Sequence, residues 1–323
     1  MIIKDRVYGK EEINEQILID LVNSAPIQRL KEISQFGLPE EYYHFPTFSR
    51  FEHSIGVMIL LRRLNAGLEE QIAGLLHDVS HTAFSHVIDW VIGDPTKEDH
   101  QDKTLLKTFE ETKIKNILER YGFNCKKIAE VKSHSLLEQP APNLCADRVD
   151  YSLREIKFLH SEQDAEKILR DLKNVNGKII LASIEAAELF AKHYVNLNKE
   201  HWAGREAKAR FYILANILKK AIKEKIISIE DMMKTDKEII KSLNKSNHEE
   251  ILSGLKILRN GFYLKKTDKG IILQKKFRYV NPEFFHNGKI ISLSEFSEEY
   301  KKTLEEERKR SLIKEEFLII PIK

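Results

Sequence analysis

The chain has 323 residues, enough to bury a large core in one big domain or two ordinary ones. Apolar residues make up 42% and charged residues 32%, and Lys+Arg outnumber Asp+Glu by only 53 to 50, too even a balance to argue for a nucleic-acid or membrane partner. The start, "MIIKDRVYGKEEINEQ", has no apolar leader, no 18-residue apolar span occurs, and Cys125 and Cys145 show no CxxC pairing, so the expectation is a reduced cytoplasmic protein without a membrane segment.

The chain reads mostly as helices. "IDLVNSAPIQRLKEISQFG" gives two short amphipathic helices, broken at Ala25-Pro26 and stopped by Gly37. A polar and aromatic loop, "LPEEYYHFPTFSR", leads to Phe51. "HSIGVMILLRRL" and "EEQIAGLLHD" place apolar residues at three- and four-residue spacing, as buried helices do. "AFSHVIDWVI" predicts another, ended by Gly93-Asp94-Pro95, and "QDKTLLKTFEE", "IKNILERYG" and "NCKKIAEVKSH" follow as short ones. "PNLCADRVDYSLREIKFLH" predicts one long helix with Pro142 near its start. Beyond it come a short strand, "GKIILAS", helices over 184–197 and 206–225, and charged helices to about 260. "LKKTDKGIILQKKFRYV" carries a hairpin signal at Asp268-Lys269-Gly270; a charged helix, "SEEYKKTLEEERKR", and a strand-like "FLIIPI" end the chain. The expected division is a core over 1–225 and a charged helical and β-hairpin region over 226–323.

The chemistry gathers in the first half. His53 opens one buried helix, His77 and Asp78 end the next, and Asp147 lies in a third beside apolar Leu144, Val149 and Leu153. Asp next to His at the end of an apolar helix is costly to bury unless a charge compensates it. Two neutral imidazoles and two carboxylates form an N/O set suited to Mn, Fe, Co, Ni or Zn. Taken singly, each residue has a plainer reading: a lone histidine is usually a satisfied core residue, and Asp147 could pair with Arg148. Four in one ordered pattern are harder to explain that way.

The order "RFEHSIGV", "AGLLHDVSHTAFSH", "ADRVDYSLRE" resembles the HD-domain metal-dependent phosphohydrolases, in particular the branch of the sterile-alpha-motif-linked dNTP triphosphohydrolase and the bacterial dGTPase-like enzymes. The similarity runs from about residue 19 to about 160. It implies a mostly α fold, an HD-domain helical core carrying a small α+β C-terminal appendage. It also implies that His53, His77, Asp78 and Asp147 bind the metal and that His81 faces the phosphate. Asp89 and His100 match a carboxylate–histidine pair whose histidine is the general acid. Arg50, Arg148 and Tyr151 match phosphate contacts, His86 lies beside the nucleotide, Gln35 touches the nucleoside and Glu155 stands near the sugar. "VNSAPIQRL" has Asn23 and Ser24 where the regulated enzymes carry an acidic guanine reader, so activation by GTP or dGTP is not expected.

These roles agree with elementary chemistry. Arg50, Arg148 and a metal ion can clamp phosphate charge; the ion activates water near neutral pH; a histidine poised by a carboxylate can protonate a leaving alkoxide. The leading expectation is hydrolysis of deoxynucleoside triphosphates to deoxynucleoside and triphosphate, by a homo-oligomer if the resemblance extends that far, with Mg entering alongside the nucleotide substrate. An alternative is the same chemistry on a nucleoside monophosphate, modified nucleotide or other phosphate ester. A third is a non-catalytic module for nucleic acid, which the Lys-rich C-terminal third would serve, although solvated helix faces account for those charges better and the presence of His81, Asp89, His100 and Arg50 argues against it.

Overall fold

The computed structural model describes residues 1–273 and 277–322. Helices dominate: α1 (Gln16–Val22), α2 (Ala25–Arg29), α3 (Arg50–Arg63), α4 (Leu68–Leu76), α5 (Val87–Val91), α6 (His100–Glu110), α7 (Lys113–Arg120), α8 (Cys125–Ala129) and α9 (Ala146–Glu155) precede α10 (Glu162–Asp171), α11 (Ile184–Leu197) and α12 (Arg205–Lys223). Beyond them lie α13 (Asp236–Lys245), α14 (Glu249–Asn260), α15 (Leu293–Phe296) and α16 (Glu298–Ser311). The expected mostly α fold with small sheets is what forms.

The centre is α3. Its start is fixed by a capping box, in which the Ser49 hydroxyl accepts the Glu52 N–H and the Glu52 carboxylate accepts the Ser49 N–H. Nearly every residue from His53 to Leu61 is buried, so the helix is apolar all round and runs inside the core. Gly56 permits the closest approach: a Cβ there would lie 1.9 Å from an Arg154 nitrogen and 2.1 Å from an Asp150 oxygen, both on α9. Arg154 is fully buried and pairs with Asp150 at 2.9 Å and Asp5 at 2.7 Å. Removing one partner of such a buried pair typically costs about 3–5 kcal/mol.

Three small sheets surround the helices. β1 (Ile2–Asp5) and β2 (Gly9–Glu12) form a hairpin. β3 (Leu172–Val175) and β4 (Lys178–Leu181) pair antiparallel across Asn176-Gly177, both left-handed, the chemistry of a tight hairpin turn. β4 then pairs in parallel with β7 (Glu283–His286), which is antiparallel to β8 (Lys289–Ser292). In the third sheet β9 (Glu316–Pro321) lies between β5 (Phe262–Thr267) and β6 (Ile271–Ile272).

That last sheet corrects the expected hairpin at Asp268-Lys269-Gly270: β5 and β6 each pair with β9, because the apolar tail strand takes the ladder between them. Residues 274–276 of the quoted stretch lie outside the described residues. The long helix expected from Pro142 begins only at Ala146, and residues 156–160 wind more loosely, as a π-type turn. The "AFSHVIDWVI" helix shortens to α5, since Phe84 and Ser85 are left-handed and form a turn instead.

Buried apolar residues form two clusters. The larger joins α1, α3, α4, α9 and α11 with Val280, Phe284 and Leu293. The smaller joins Leu38, Tyr42 and Phe84 to α12, α13, α14 and Phe317. Residues from both sides of position 225 thus share each cluster. The Asp236 carboxylate fastens the smaller cluster to the loops of the first half, accepting the Ser34 N–H at 2.8 Å and the Phe84 N–H at 2.7 Å.

Candidate active site

Three helices bring lone pairs to one point. His53, on α3, has its Nδ1 2.7 Å from Asp150 Oδ2 and its Nε2 2.9 Å from Asp147 Oδ1. His77, just past α4, places Nδ1 2.7 Å from the Gly74 carbonyl. A carbonyl only accepts, so His77 Nδ1 carries the proton and the neutral ring keeps its lone pair on Nε2. The Asp150 carboxylate imposes the same tautomer on His53. The two Nε2 atoms lie 3.2 Å apart, and His77 Nε2 is 3.6 Å from Asp147 Oδ1.

Three acceptors facing one another in a half-buried site need a cation between them. A carboxylate or carbonyl behind each ring is how metal-ligating histidines are usually oriented. The donor set therefore fits a divalent transition metal held by His53, His77 and Asp147. Protons compete for the same place. Burial disfavours a charged His77, but Asp78 and Asp147 outweigh it and hold its pKa up to about 9. For His53, too, burial is outweighed by the Asp147 and Asp150 carboxylates, and the pKa is raised.

Asp78 completes the predicted ligand set from slightly further away. Its oxygens are 3.6 Å from His77 Nε2 and 3.7 Å from His53 Nε2. They also meet Arg50 at 2.5 Å and His81 Nε2 at 3.1 Å. Burial would raise its pKa, yet Arg50, His77 and His81 hold it well below the usual carboxylate range. Burial and Arg50 together push His81 well down, so that ring is neutral at pH 7. Glu138, Cys145 and Asp147 also lie close together, but they do not fit a metal. Burial pushes the Cys145 thiol up to about 12, and Arg148 Nη1 stands 3.1 Å from its sulfur.

A cavity of about 590 Å³ opens over this cluster. Ten of the thirteen predicted site residues line it: Gln35, Arg50, His77, Asp78, His81, His86, Asp147, Arg148, Tyr151 and Glu155. Arg50 Nε donates to Ser85 Oγ at 2.7 Å. Arg148 is held by the carbonyls of Asn143 at 2.5 Å and Gln139 at 3.3 Å, which is why residues 139–145 remain a loop instead of extending α9. Tyr151 and Tyr194 share a hydroxyl contact at 3.0 Å. Gln35 Oε1 is buried without a hydrogen-bond partner among the described residues.

His53, Asp89 and His100 stand back from the wall. For His53 this is the position of a ligand behind its metal. The expected Asp89–His100 side-chain pair does not form. Asp89 Oδ1 accepts the main-chain N–H of His100 at 3.2 Å, satisfying a free donor at the start of α6. Its Oδ2 lies 3.6 Å from His86 Nδ1, and neither atom has a hydrogen-bond partner among the described residues. His86 lines the cavity and packs edge-on against His81, ring centroids 4.9 Å apart. The turn at Phe84-Ser85 puts it there.

Several residues on this site escape a reading of short motifs. Asp150 and Arg154 lie three and seven positions beyond Asp147 on α9, a carboxylate and a guanidinium at helical spacing that could have been read as the support for His53. Glu155 is clamped by His201 Nδ1 at 2.7 Å and Trp202 Nε1 at 2.9 Å, and His201 Nε2 contacts the Tyr43 hydroxyl at 2.8 Å. "NKEHWAG" shows a histidine and tryptophan among polar neighbours, but no spacing ties it to Glu155.

With this geometry in view, the HD domain family profile matches residues 50–155. The chain is 39% identical to the protein YdhJ of Bacillus subtilis over 94% of this chain and 94% of that protein. It is 35% identical to the metal-dependent phosphohydrolase cns2 of Cordyceps militaris, over 63% of this chain and 61% of that one. A deoxynucleoside triphosphate triphosphohydrolase SAMHD1 homolog of Dictyostelium discoideum is 24% identical over 86% of this chain and 62% of its own length. In fold the chain is similar throughout to a phosphohydrolase of Bacteroides thetaiotaomicron, with a TM-score of 0.75 at 19% identity.

Proposed function

The chain belongs to the HD-domain family of metal-dependent phosphohydrolases, and from that premise we propose that it cleaves deoxynucleoside triphosphates to the deoxynucleoside and triphosphate. The observation that carries the proposal is the composition of the cavity. Three converging metal donors lie at its base, Arg50 and Arg148 beside them, and Tyr43, Trp202, Gln35 and Glu155 elsewhere on the wall. That is room and chemistry for a phosphate chain joined to a sugar and a base.

The roles follow from what each side chain faces. His53, His77 and Asp147 would hold the metal, with Asp78 beside them. Once bound, the ion polarises a phosphoryl oxygen and lowers the pKa of water near it. Arg50 fixes Asp78 and adds positive charge to the same wall, while Arg148 supplies a second guanidinium for phosphate oxygens. His81, neutral and bonded to Asp78, offers its other ring nitrogen to the reacting group. The proton for the leaving oxygen comes from His86, whose Nδ1 faces Asp89, and not from His100. Glu155, immobilised by His201 and Trp202, accepts from a sugar hydroxyl.

A second reading has its own support: among the relatives compared, cns2 is more similar in identity than the triphosphohydrolase homolog, and its name specifies only a metal-dependent phosphohydrolase. The same residues would then act on a monophosphate or another ester. Product analysis decides between them. Incubation of the metal-loaded protein with dNTPs is expected to yield deoxynucleoside and intact triphosphate. Orthophosphate from monoesters, with dNTPs untouched, would favour the second reading.

A further inference from the structure

Arg278 belongs to no motif and lies far outside residues 50–155, yet it sits on the cavity wall. The segment carrying it is anchored just after it. Val280 is fully buried, the Tyr300 hydroxyl donates to its carbonyl at 2.6 Å, and the Asn281 N–H donates to the Pro142 carbonyl at 2.9 Å. Pro142 belongs to the loop whose Gln139 and Asn143 carbonyls hold Arg148. One loop therefore positions two guanidinium groups over the same cavity.

The two arginines are not equivalent. Arg148 meets the Gln139 and Asn143 carbonyls at hydrogen-bond distance, with the Glu138 carboxylate further off at 3.8 Å. Arg278 is paired with the carboxylate of Glu98, itself nearly fully buried and left-handed in the turn before α6. A carboxylate presents to guanidinium the same planar pair of oxygens that a phosphate does. Arg278 shares the cavity wall with Asp147 of the metal cluster and with the hydroxyl-paired Tyr151 and Tyr194.

We propose that Arg278 is a substrate-binding residue that receives a second anionic group, so that the preferred substrate is a phosphate ester bearing at least one phosphate beyond the one at the metal. Binding exchanges the Glu98 carboxylate for that phosphate. The inference rests on the phosphohydrolase reading for the site, but not on the identity of the nucleoside.

The test uses the full chain loaded with Mn and two independent readouts. In calorimetric titration with inorganic triphosphate, Arg278→Gln should weaken binding by about tenfold or more, Arg278→Lys should restore part of it, and Glu98→Gln should tighten it several-fold. Orthophosphate, with no second group to offer, should bind all four proteins within about twofold of one another. In turnover, Arg278→Gln should raise KM for a dNTP about tenfold with little change in kcat, while leaving p-nitrophenyl phosphate almost untouched. Equal losses on triphosphate and orthophosphate, or weaker triphosphate binding in Glu98→Gln, would make the pair structural and overturn the proposal. If no phosphate ester is turned over but triphosphate binding still depends on Arg278, the phosphohydrolase reading fails, the substrate assignment falls with it, and only the anion site at Arg278 stands.

Discussion

The two sides of the cavity are built by different means. On the metal side, His53, His77 and Asp147 leave three helices at fixed places, and each is oriented by a partner close by in the fold: Asp150, Gly74, and His53 itself. On the opposite side, Glu155 depends on His201 and Trp202, Tyr43 on His201, and Arg278 on a loop more than a hundred residues earlier. The first is a rigid preorganised set of donors, as chemistry requires; the second is a tertiary assembly of loops and π-type turns, as recognition allows. Changes on the metal side should therefore abolish metal and turnover together. Changes on the other side should spare the metal and alter substrate affinity.

The largest effect is expected from Asp147→Ala and His77→Ala. Wild type should carry about one transition-metal ion per chain, and both variants should lose it and fall to background turnover. Elemental analysis beside a rate measurement checks this. Equally negligible metal content in all three proteins would mean that the convergence of lone pairs is met by protons alone.

Next comes the assignment of the proton donor. General acid catalysis typically contributes about a hundredfold to ten-thousandfold, so His86→Ala should lose that much turnover and keep its metal. The deficit should shrink on a nitrophenyl ester, whose leaving group needs little protonation. His100→Ala should change turnover only slightly, because only its main-chain N–H meets Asp89. A large loss in His100→Ala with His86→Ala nearly normal would restore the role implied by family resemblance.

These contrasts also show what a sequence can reveal. His53, His77, Asp78 and Asp147 are visible because each sits in a short helical stretch where an apolar pattern is interrupted by a ligand-type side chain. The helical core is visible for the same reason: three- and four-residue apolar spacing reports a buried face directly. The pairing of β5 and β6 with β9 is not, because Asp268-Lys269-Gly270 is a sound turn signal and the competing strand lies some fifty residues on. The α9 start is missed because Arg148 takes carbonyls of the 139–145 loop, an interaction with no periodic signature. Asp89 is read as the partner of the His100 ring when the turn at Phe84-Ser85, set by Asp236 from far down the chain, brings His86 to it instead.

The recognition side should respond more mildly. Glu155→Gln should raise KM roughly tenfold to a hundredfold, the range for losing a charged hydrogen-bond partner, with metal content unchanged. His201→Ala should follow it in part, since it removes one of the two side chains that hold the same carboxylate. If either variant lost metal, the two sides would be one coupled unit and the contrast between them would fail.

The smallest effect separates the sides by pH alone. Neighbouring carboxylates outweigh burial at His77 and hold its pKa at about 9, above the ~6.5 of an unfolded chain. A raised pKa means that the folded protein keeps a proton the unfolded chain releases. Its stabilising contribution is therefore complete below about pH 6.5 and lost as pH rises through about 9. A metal ion on His77 needs the ring neutral, so binding expels that proton and strengthens with pH over the same window. The metal-free protein should thus lose part of its Tm between pH 6.5 and 9, and the gap to the metal-loaded protein should widen. In Glu155→Gln the widening should be preserved, because nothing on the recognition side touches His77; in His77→Ala it should disappear. Melting curves of chelated and reloaded samples across this range test it, and a gap that stayed constant or narrowed with rising pH would show that His77 does not exchange a proton for the metal.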